Sequence, residues 1–379
     1  RDANGIHARY AEIANNDIKL RSGCYAFGIN TEYSKVELNS IFIFNGGCSS
    51  YSIQASNYSL VENNVFYALG DQKGFENGYR SKIKNNTFYA TYSGESPFHI
   101  EGQVNYTNWD WAVRAEAEAC TLLFNQFYDF EHGIYVDGRD AVVKNNTFRI
   151  HSSEGFDLVN GNNSVVHYNN IIMNGDDNYG MRIREGNISN VYRNTIVSNS
   201  ESRTGDGIRI EGNSHPNLNS NLIYGFDTGI EANSDVYVMK FNLTNDVNSH
   251  LIGDGLPDQA GEMATVNLNG DPADIYGNIR MNPNFVNIDS STALSSLSGS
   301  IDAGDVDSLD LDASIVDIGA EFYNFGYAPF ALKTDSTGEG SVYLSWNIID
   351  TDSLNGYQAY VRQSGSTDWT VSNQSSEKN

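Results

Sequence analysis

The chain has 379 residues, with 23 Lys and Arg against 48 Asp and Glu, for a formal charge of −25. That balance argues against general nucleic-acid binding, which needs positive charge to replace phosphate counterions. No apolar run approaches the roughly 18 residues of a membrane-spanning helix, so a soluble protein without a membrane span is expected. The 35 Gly and only 6 Pro suit tight turns, and 23 Tyr with 18 Phe supply material for a core. The first residue is Arg1 and no signal peptide is visible, so a processed product is expected.

From the N-terminus onward two strings recur. One reads "SLVENNVFYA" at 59–68, "SKIKNNTFYA" at 81–90, "AVVKNNTFRI" at 141–150 and "SVVHYNNIIM" at 164–173. Aligned on Asn, the chain gives Asn16, Asn39, Asn64, Asn86, Asn125, Asn146, Asn170, Asn194, Asn221 and Asn242. The other reads "GIHAR" at 5, "GINTE" at 28, "SIQAS" at 52, "AVRAE" at 112, "GIYVD" at 133, "GFDLV" at 155, "GMRIR" at 180, "GIRIE" at 207 and "GIEAN" at 229. Most alternate apolar and polar residues, the period of a strand with one buried face. The small residue before each is a turn signal.

Strands recurring about every 23 residues without helical stretches exclude βαβ crossovers, and a propeller blade needs about 40–45 residues. A solenoid of parallel strands remains, in which coils stack at about 4.8 Å and equivalent residues form columns. An Asn at the same bend of every coil then bonds its side-chain amide to its copies above and below. Several Asn strings also read as glycosylation sequons, among them "NNT" at 85 and 145 and "NLT" at 242. Their fixed place in the coil favours the ladder.

On these "NN-x-F/I" and "G-I-x-I-x-G" strings, over about 5–250, the sequence resembles the right-handed parallel β-helix proteins of the pectate-lyase-like superfamily. The resemblance implies an all-β parallel β-helix of about ten coils over 1–245, and a secreted or cell-surface, carbohydrate-active protein. Residues 246–327 lose the repeat. They resemble the closing segment of secreted bacterial β-helix proteins, which packs across the last coil and hides its open end. The run Asp302, Asp305, Asp307, Asp310 and Asp312 could ligate Ca2+ or be a solvated acidic turn, and no cofactor is otherwise indicated. Residues 328–379 resemble the first half of a fibronectin type III module, a partial β-sandwich carried by "VYLSW" with Trp346 and "LNGYQAYVR" with Tyr357 and Tyr360. Further sequence is therefore expected beyond Asn379.

In the second string the polar positions should form two outward columns. One runs His7, Asn30, Gln54, Glu76, Arg114, Tyr135, Asp157, Arg182, Arg209, Glu231. The other runs Arg9, Glu32, Ser56, Gly78, Glu116, Asp137, Val159, Arg184, Glu211, Asn233. Four of only 23 basic residues gather here among carboxylates. They form either an ion-pair ladder or a groove in which Arg114 and its neighbours, with Glu116 and Glu211, hold uronate or sulfate. The insertion "FHIEGQVNYTNWDW" at 98–111 adds His99 and the sugar-stacking candidates Tyr106, Trp109 and Trp111.

A uronan lyase needs the carboxylate neutralised and a base for the C5 proton, for which Arg182, Arg184, Arg209 and Tyr135 are the candidates. "GMRIREGN" and "GIRIEGNSH" are loosely similar to strings of the chondroitinase-B/alginate-lyase family. That similarity implies Arg184 as the catalytic Arg, although Asn160 stands where that family has its Lys. A glycoside hydrolase needs two carboxylates. Asp137 and Asp157, on adjacent rungs and about 8 Å apart at the backbone, suit inversion. His132, His151 and His167 read as structural. Cys24 and Cys48 should stack on adjacent coils and could form a disulfide, whereas Cys120 reads as a core residue. Three functions follow: a polysaccharide lyase or hydrolase acting on an anionic polysaccharide, a non-catalytic carbohydrate-binding or surface-attachment protein, or a tail-spike-like structural protein. The first two suit a monomer and the last a trimer.

Overall fold

The computed structural model describes residues 3–22, 26–45, 50–69, 72–90, 111–175, 179–185, 188–289, 291–310, 312 and 314–323, and the strand segments 330–338, 341–347, 357–361 and 370–376. These residues contain strands and turns and no helix. Two parallel sheets dominate. One has ten strands of three residues each, from Glu12–Ala14 to Val238–Lys240. The other has nineteen strands covering two further faces. Each coil contributes a short strand, an Asn bend, a second strand, a turn and a third strand, as in Val142–Lys144 followed by Thr147–Val159, which passes through two faces.

The reason for the Asn repeat is visible at the bend. The Nδ2 of Asn39 donates to Oδ1 of Asn64 at 3.0 Å and to the Ile13 carbonyl at 3.0 Å, while the Asn39 backbone N–H donates to the same Asn64 Oδ1. The pattern repeats through Asn86, Asn125 and Asn146 to Asn242, whose Nδ2 reaches Oδ1 of Asn278 at 3.0 Å. Every link lies away from water, so the amides supply the partners that a buried bend otherwise lacks. One assignment is corrected. The rung between Asn146 and Asn194 is filled by Asn169, not Asn170. Asn170 begins the following strand, where it donates to Glu321 Oε1 at 2.7 Å. In the "YNN" string the bend takes the first Asn, because the residue before it, Tyr168, occupies the left-handed turn position with φ 54°.

Inside the coils, Phe66, Phe88, Phe127 and Phe148 stack at centroid distances of 4.5, 4.9 and 4.7 Å, and Ile171, Ile196 and Ile223 continue that column. Full burial of such side chains stabilises by about 1.5–3 kcal/mol each, which drives stacking of units that cannot fold singly. Cys120 is buried in this core. Cys24 and Cys48 lie outside the described residues.

The last coil ends with Ser249–Ile252, which still pairs with Thr228–Ala232, and beyond it the chain leaves the repeat. Ile279 bridges Leu243 in parallel, and Leu222, Leu243, Met281, Leu294 and Ile318 form a second apolar cluster. The segment also runs back along the side of the coils, with Gly319 N–H on the Ser220 carbonyl and Ala320 N–H on Thr195 Oγ1. The last described strands form two antiparallel pairs, Phe330–Gly338 with Ser341–Asn347 and Tyr357–Val361 with Thr370–Ser376. Their side chains, including Trp346, Tyr357 and Tyr360, lie outside the description, as does that of His151.

Candidate functional site

The third strand of each coil carries the two polar columns. His7, Asn30, Gln54, Glu76, Arg114, Tyr135, Asp157, Arg182, Arg209 and Glu231 are successive partners along the sheet. In the second column Arg9 pairs with Glu32, Asp137 with Val159 and Val159 with Arg184. Glu211 follows, with its N–H on the Ile183 carbonyl.

A third column lies beside these, and period-2 reading misses it. Trp111, His132, Glu154, Tyr179, Asp206 and Thr228 are consecutive partners. Each stands three residues before the first column, whereas strict alternation predicts two. The glycine between explains the shift. A Cβ on Gly155 would lie 2.3 Å from the Gly180 carbonyl oxygen, and one on Gly207 would lie 2.7 Å from that of Gly229. At these two rungs the backbones leave no room for a larger side chain, whereas behind Trp111 the small Ala112 takes the same place, and both Gly207 and Ile208 turn inward. Asp206 is thereby thrown to the outer face. The recurrent Gly was the available signal, since a glycine within a strand marks a bulge or close approach.

Four arginines and seven carboxyls interlock here. Arg184 donates to both oxygens of Asp157, Nε to Oδ1 at 3.0 Å and Nη2 to Oδ2 at 2.9 Å. Asp157 is 2% exposed. This pairing holds the proton on Arg184 more tightly than usual. Arg114 pairs with Glu116 and lies over the Tyr135 ring at 5.5 Å. Tyr135 Oη donates to Asp137 Oδ2 at 3.4 Å, and Asn160 Nδ2 donates to Asp137 Oδ1 at 3.0 Å. Burial, then the carboxylates of Asp137 and Asp157, raise the Tyr135 pKa. Arg182 binds Glu211 Oε1 through Nε at 2.7 Å and lies 3.6 Å from Glu154. Burial, then Asp157, raise the Glu154 pKa.

Arg209 is the hub. Its Nε donates to Glu211 Oε2 at 3.1 Å, and its Nη1 donates to Tyr179 Oη at 3.2 Å and Asp206 Oδ2 at 3.4 Å. Glu231 Oε2 is 3.3 Å from the same nitrogen. Tyr179, Gly205, Asp206, Arg209, Thr228 and Glu231 line an open cleft of about 300 Å³. Burial, then hydrogen bonding and repulsion from Glu231, push the Asp206 pKa up to about 6, against the pull of Arg209.

The structure thus brings Tyr135, Asp137, Asp157, Arg182, Arg184, Arg209, Arg114, Glu116 and Glu211 onto one face, and adds Glu154, Tyr179, Asp206 and Glu231. Trp111 stacks on His132 at 4.8 Å and meets Tyr135 edge-on at 5.5 Å, which places an aromatic wall at the head of the patch. His99, Tyr106 and Trp109 lie outside the described residues. Among the described residues no three His, Cys, Asp or Glu side chains converge as a metal site. Asp310 and Asp317 are instead engaged by backbone N–H groups.

Residues 103–246 match a protein-family model described as the right handed beta helix region. No curated protein matches the chain. Among solved structures, the crystal structure of the pectate lyase Pel9A is similar, with a TM-score of 0.40 and 12% identity over 79% of this chain and 88% of that chain. With the in-register coils, the family match establishes the fold as a right-handed parallel β-helix.

Proposed function

We propose that the protein is a polysaccharide-acting enzyme whose chemistry is glycosidic hydrolysis in the Asp206 cleft. One observation carries the reading. Arg209 stands between two carboxyls in unlike surroundings, Asp206 kept protonated toward neutrality and Glu211 held by two guanidinium groups. A carboxyl that holds its proton above the ordinary range, with a second carboxyl across one guanidinium from it, is the arrangement that protonates a leaving oxygen while the other group acts on the opposite side. Asp206 is assigned as the general acid, and Glu211 as the nucleophile or base. Glu231 keeps Asp206 protonated, and Tyr179 and Arg209 border the sugar.

The Arg pattern speaks less for elimination. A lyase of this type needs a cation free for the uronate and a base that can lose its proton. Arg184 is committed to Asp157 and holds its proton more tightly than usual. Asp157, 2% exposed, is out of a sugar's reach and is a weak candidate for the hydrolytic pair with Asp137. Seven carboxyls around four arginines also disfavour an anionic unit at the scissile bond, so a neutral sugar is assigned there. Uronan elimination remains the second reading, favoured by the density of guanidinium groups. Secretion and a monomeric state belong to the same proposal.

The test is incubation with neutral polysaccharides and with alginate, pectin and glycosaminoglycans. New reducing ends without the ultraviolet absorbance of an unsaturated uronate support hydrolysis. That absorbance would instead identify a lyase, and binding without turnover would leave a carbohydrate-binding protein.

A further inference from the structure

A second polar cavity lies on a different face, at the corner between the short-strand sheet and the Asn bends. Its volume is about 490 Å³. Lys144, His167 and Tyr192 are consecutive outward partners on the short strands. Tyr168 and Arg193 occupy the left-handed bend positions beside them, with φ of 54° and 51°. Asp305 and Ser308 of the closing segment form the opposite rim.

Three features set this cavity apart in so acidic a chain. First, neither Lys144 nor Arg193 makes an ion pair among the described residues. Both cations lie over the Tyr168 ring, at 5.6 and 5.4 Å, and Arg193 also donates to the Tyr168 hydroxyl. Their charge is therefore held in place without an ion-paired carboxylate among the described residues. Second, His167 is 8% exposed and its Nδ1 has no hydrogen-bond partner among the described residues. A buried polar atom left without a bond costs about 1–3 kcal/mol, so a group that entered the cavity and bonded to it would recover that energy. Burial, then Lys144 and Arg193, push the His167 pKa down to about 4, so the ring is neutral and its Nδ1 is free to bond with a ligand. Third, Tyr192 presents a half-buried ring, packed against His167 at 4.6 Å, beside the cations.

We infer that this cavity is a binding site for a single carboxylated or sulfated sugar unit. The anionic group would lie between Lys144 and Arg193, a ring hydroxyl would reach His167 Nδ1, and the apolar face of the sugar would lie on Tyr192. The opposing charges are Asp305 on the rim and Asp310, whose carboxyl feels Arg193 and whose pKa burial raises. They limit the site to one anionic group. The site stands apart from the strand-face cleft and does not depend on its chemistry.

The experiment is calorimetric titration of the full chain with a uronate trisaccharide, the same trisaccharide with its carboxylates reduced to alcohols, and inorganic sulfate. Saturable binding of the uronate, competition by sulfate and weak or no binding of the reduced sugar are expected. Arg193→Met should weaken binding about tenfold or more. Lys144→Met, which leaves the Tyr168–Arg193 hydrogen bond in place, should do the same if Arg193→Met folds poorly. Asp206→Asn should leave this binding unchanged, so loss of turnover and loss of this site can be told apart. Equal affinity for the reduced sugar, or unaltered uronate affinity in both variants, would overturn the inference. Lower melting temperatures with no ligand effect would likewise overturn it, and would mark the cations as braces for the closing segment.

Discussion

Arg184 grips Asp157 across one rung and one column of the strand face, with two near-parallel hydrogen bonds of 3.0 and 2.9 Å to a carboxylate that is 2% exposed. The pair ties two coils together, and its burial keeps Asp157 out of a sugar's reach. Asp157→Asn is predicted to lower stability by about 2–3 kcal/mol, because it strands a half-buried guanidinium. Urea denaturation measures this. Turnover per folded molecule should change far less than in Asp206→Asn, and an Asp157→Asn variant as stable as the parent would show the pair to be an idle surface contact.

Asp206 should set the alkaline limb of activity. Its proton is required and is held up to about pH 6, so kcat/KM should fall as pH rises through that value. Asp206→Asn should lose about 100-fold or more of kcat. Glu231→Gln removes a neighbour that raises the Asp206 pKa, so the limb should move to lower pH with KM little altered. A pH profile measured on both variants checks the assignment, and an unmoved limb in Glu231→Gln would refute the role given to Glu231.

The Asn ladder should be far more sensitive than its flanks. Asn146 is fully buried, accepts from Asn125 and donates to Asn169 and to the Leu122 carbonyl. Asn146→Ala orphans several buried groups at once and should cost about 3 kcal/mol or more. Asn170→Ala removes only exposed or half-buried contacts to Glu321 and Thr292 and should cost about 1 kcal/mol or less. Thermal melts of the two side by side decide whether Asn169 holds the rung.

Stability should fall as pH rises toward neutrality. Burial raises Asp206 and Asp302 to about 6 and Asp317 to about 7. A folded pKa above the unfolded value means that the native state keeps protons already released by the unfolded chain between about pH 4 and 7, so ionisation across that window weakens the fold. His167 acts in the opposite sense, since its folded pKa of about 4 makes stability rise from there toward its ordinary value. Burial also raises Glu154 and Asp310 and lowers His250, so the raised carboxyls outnumber the lowered imidazoles and leave a net decline. Asp302 Oδ1 is buried without a partner, so Asp302→Asn should flatten the profile and raise the melting temperature on the alkaline side. A melting temperature that climbs steadily through this range would contradict the burial assigned to these carboxyls.

The coil repeat was legible because stacking repeats one solution, and the same residue types return at the same bend and on the same face. Both polar columns could be written down from Arg114, Tyr135, Asp157, Arg182 and Arg209, since alternation holds from the core-facing Ile onward. It fails at the glycine. There the close approach of neighbouring backbones inserts an extra inward residue, and Glu154, Tyr179 and Asp206 move to the outer face against the period. Asn169 and Asn170 look alike in sequence, and only the left-handed bend at Tyr168 separates them. Which arginine meets which carboxylate was not legible at all, since Arg182 reaches forward to Glu211 while Arg184 reaches back to Asp157.

The most direct test of the account is product analysis after prolonged digestion of neutral and acidic polysaccharides by the parent protein and by Asp206→Asn. Saturated reducing-end oligosaccharides are expected from the parent and almost none from the variant. Unsaturated uronate ends from the parent, or undiminished cleavage by Asp206→Asn, would contradict it.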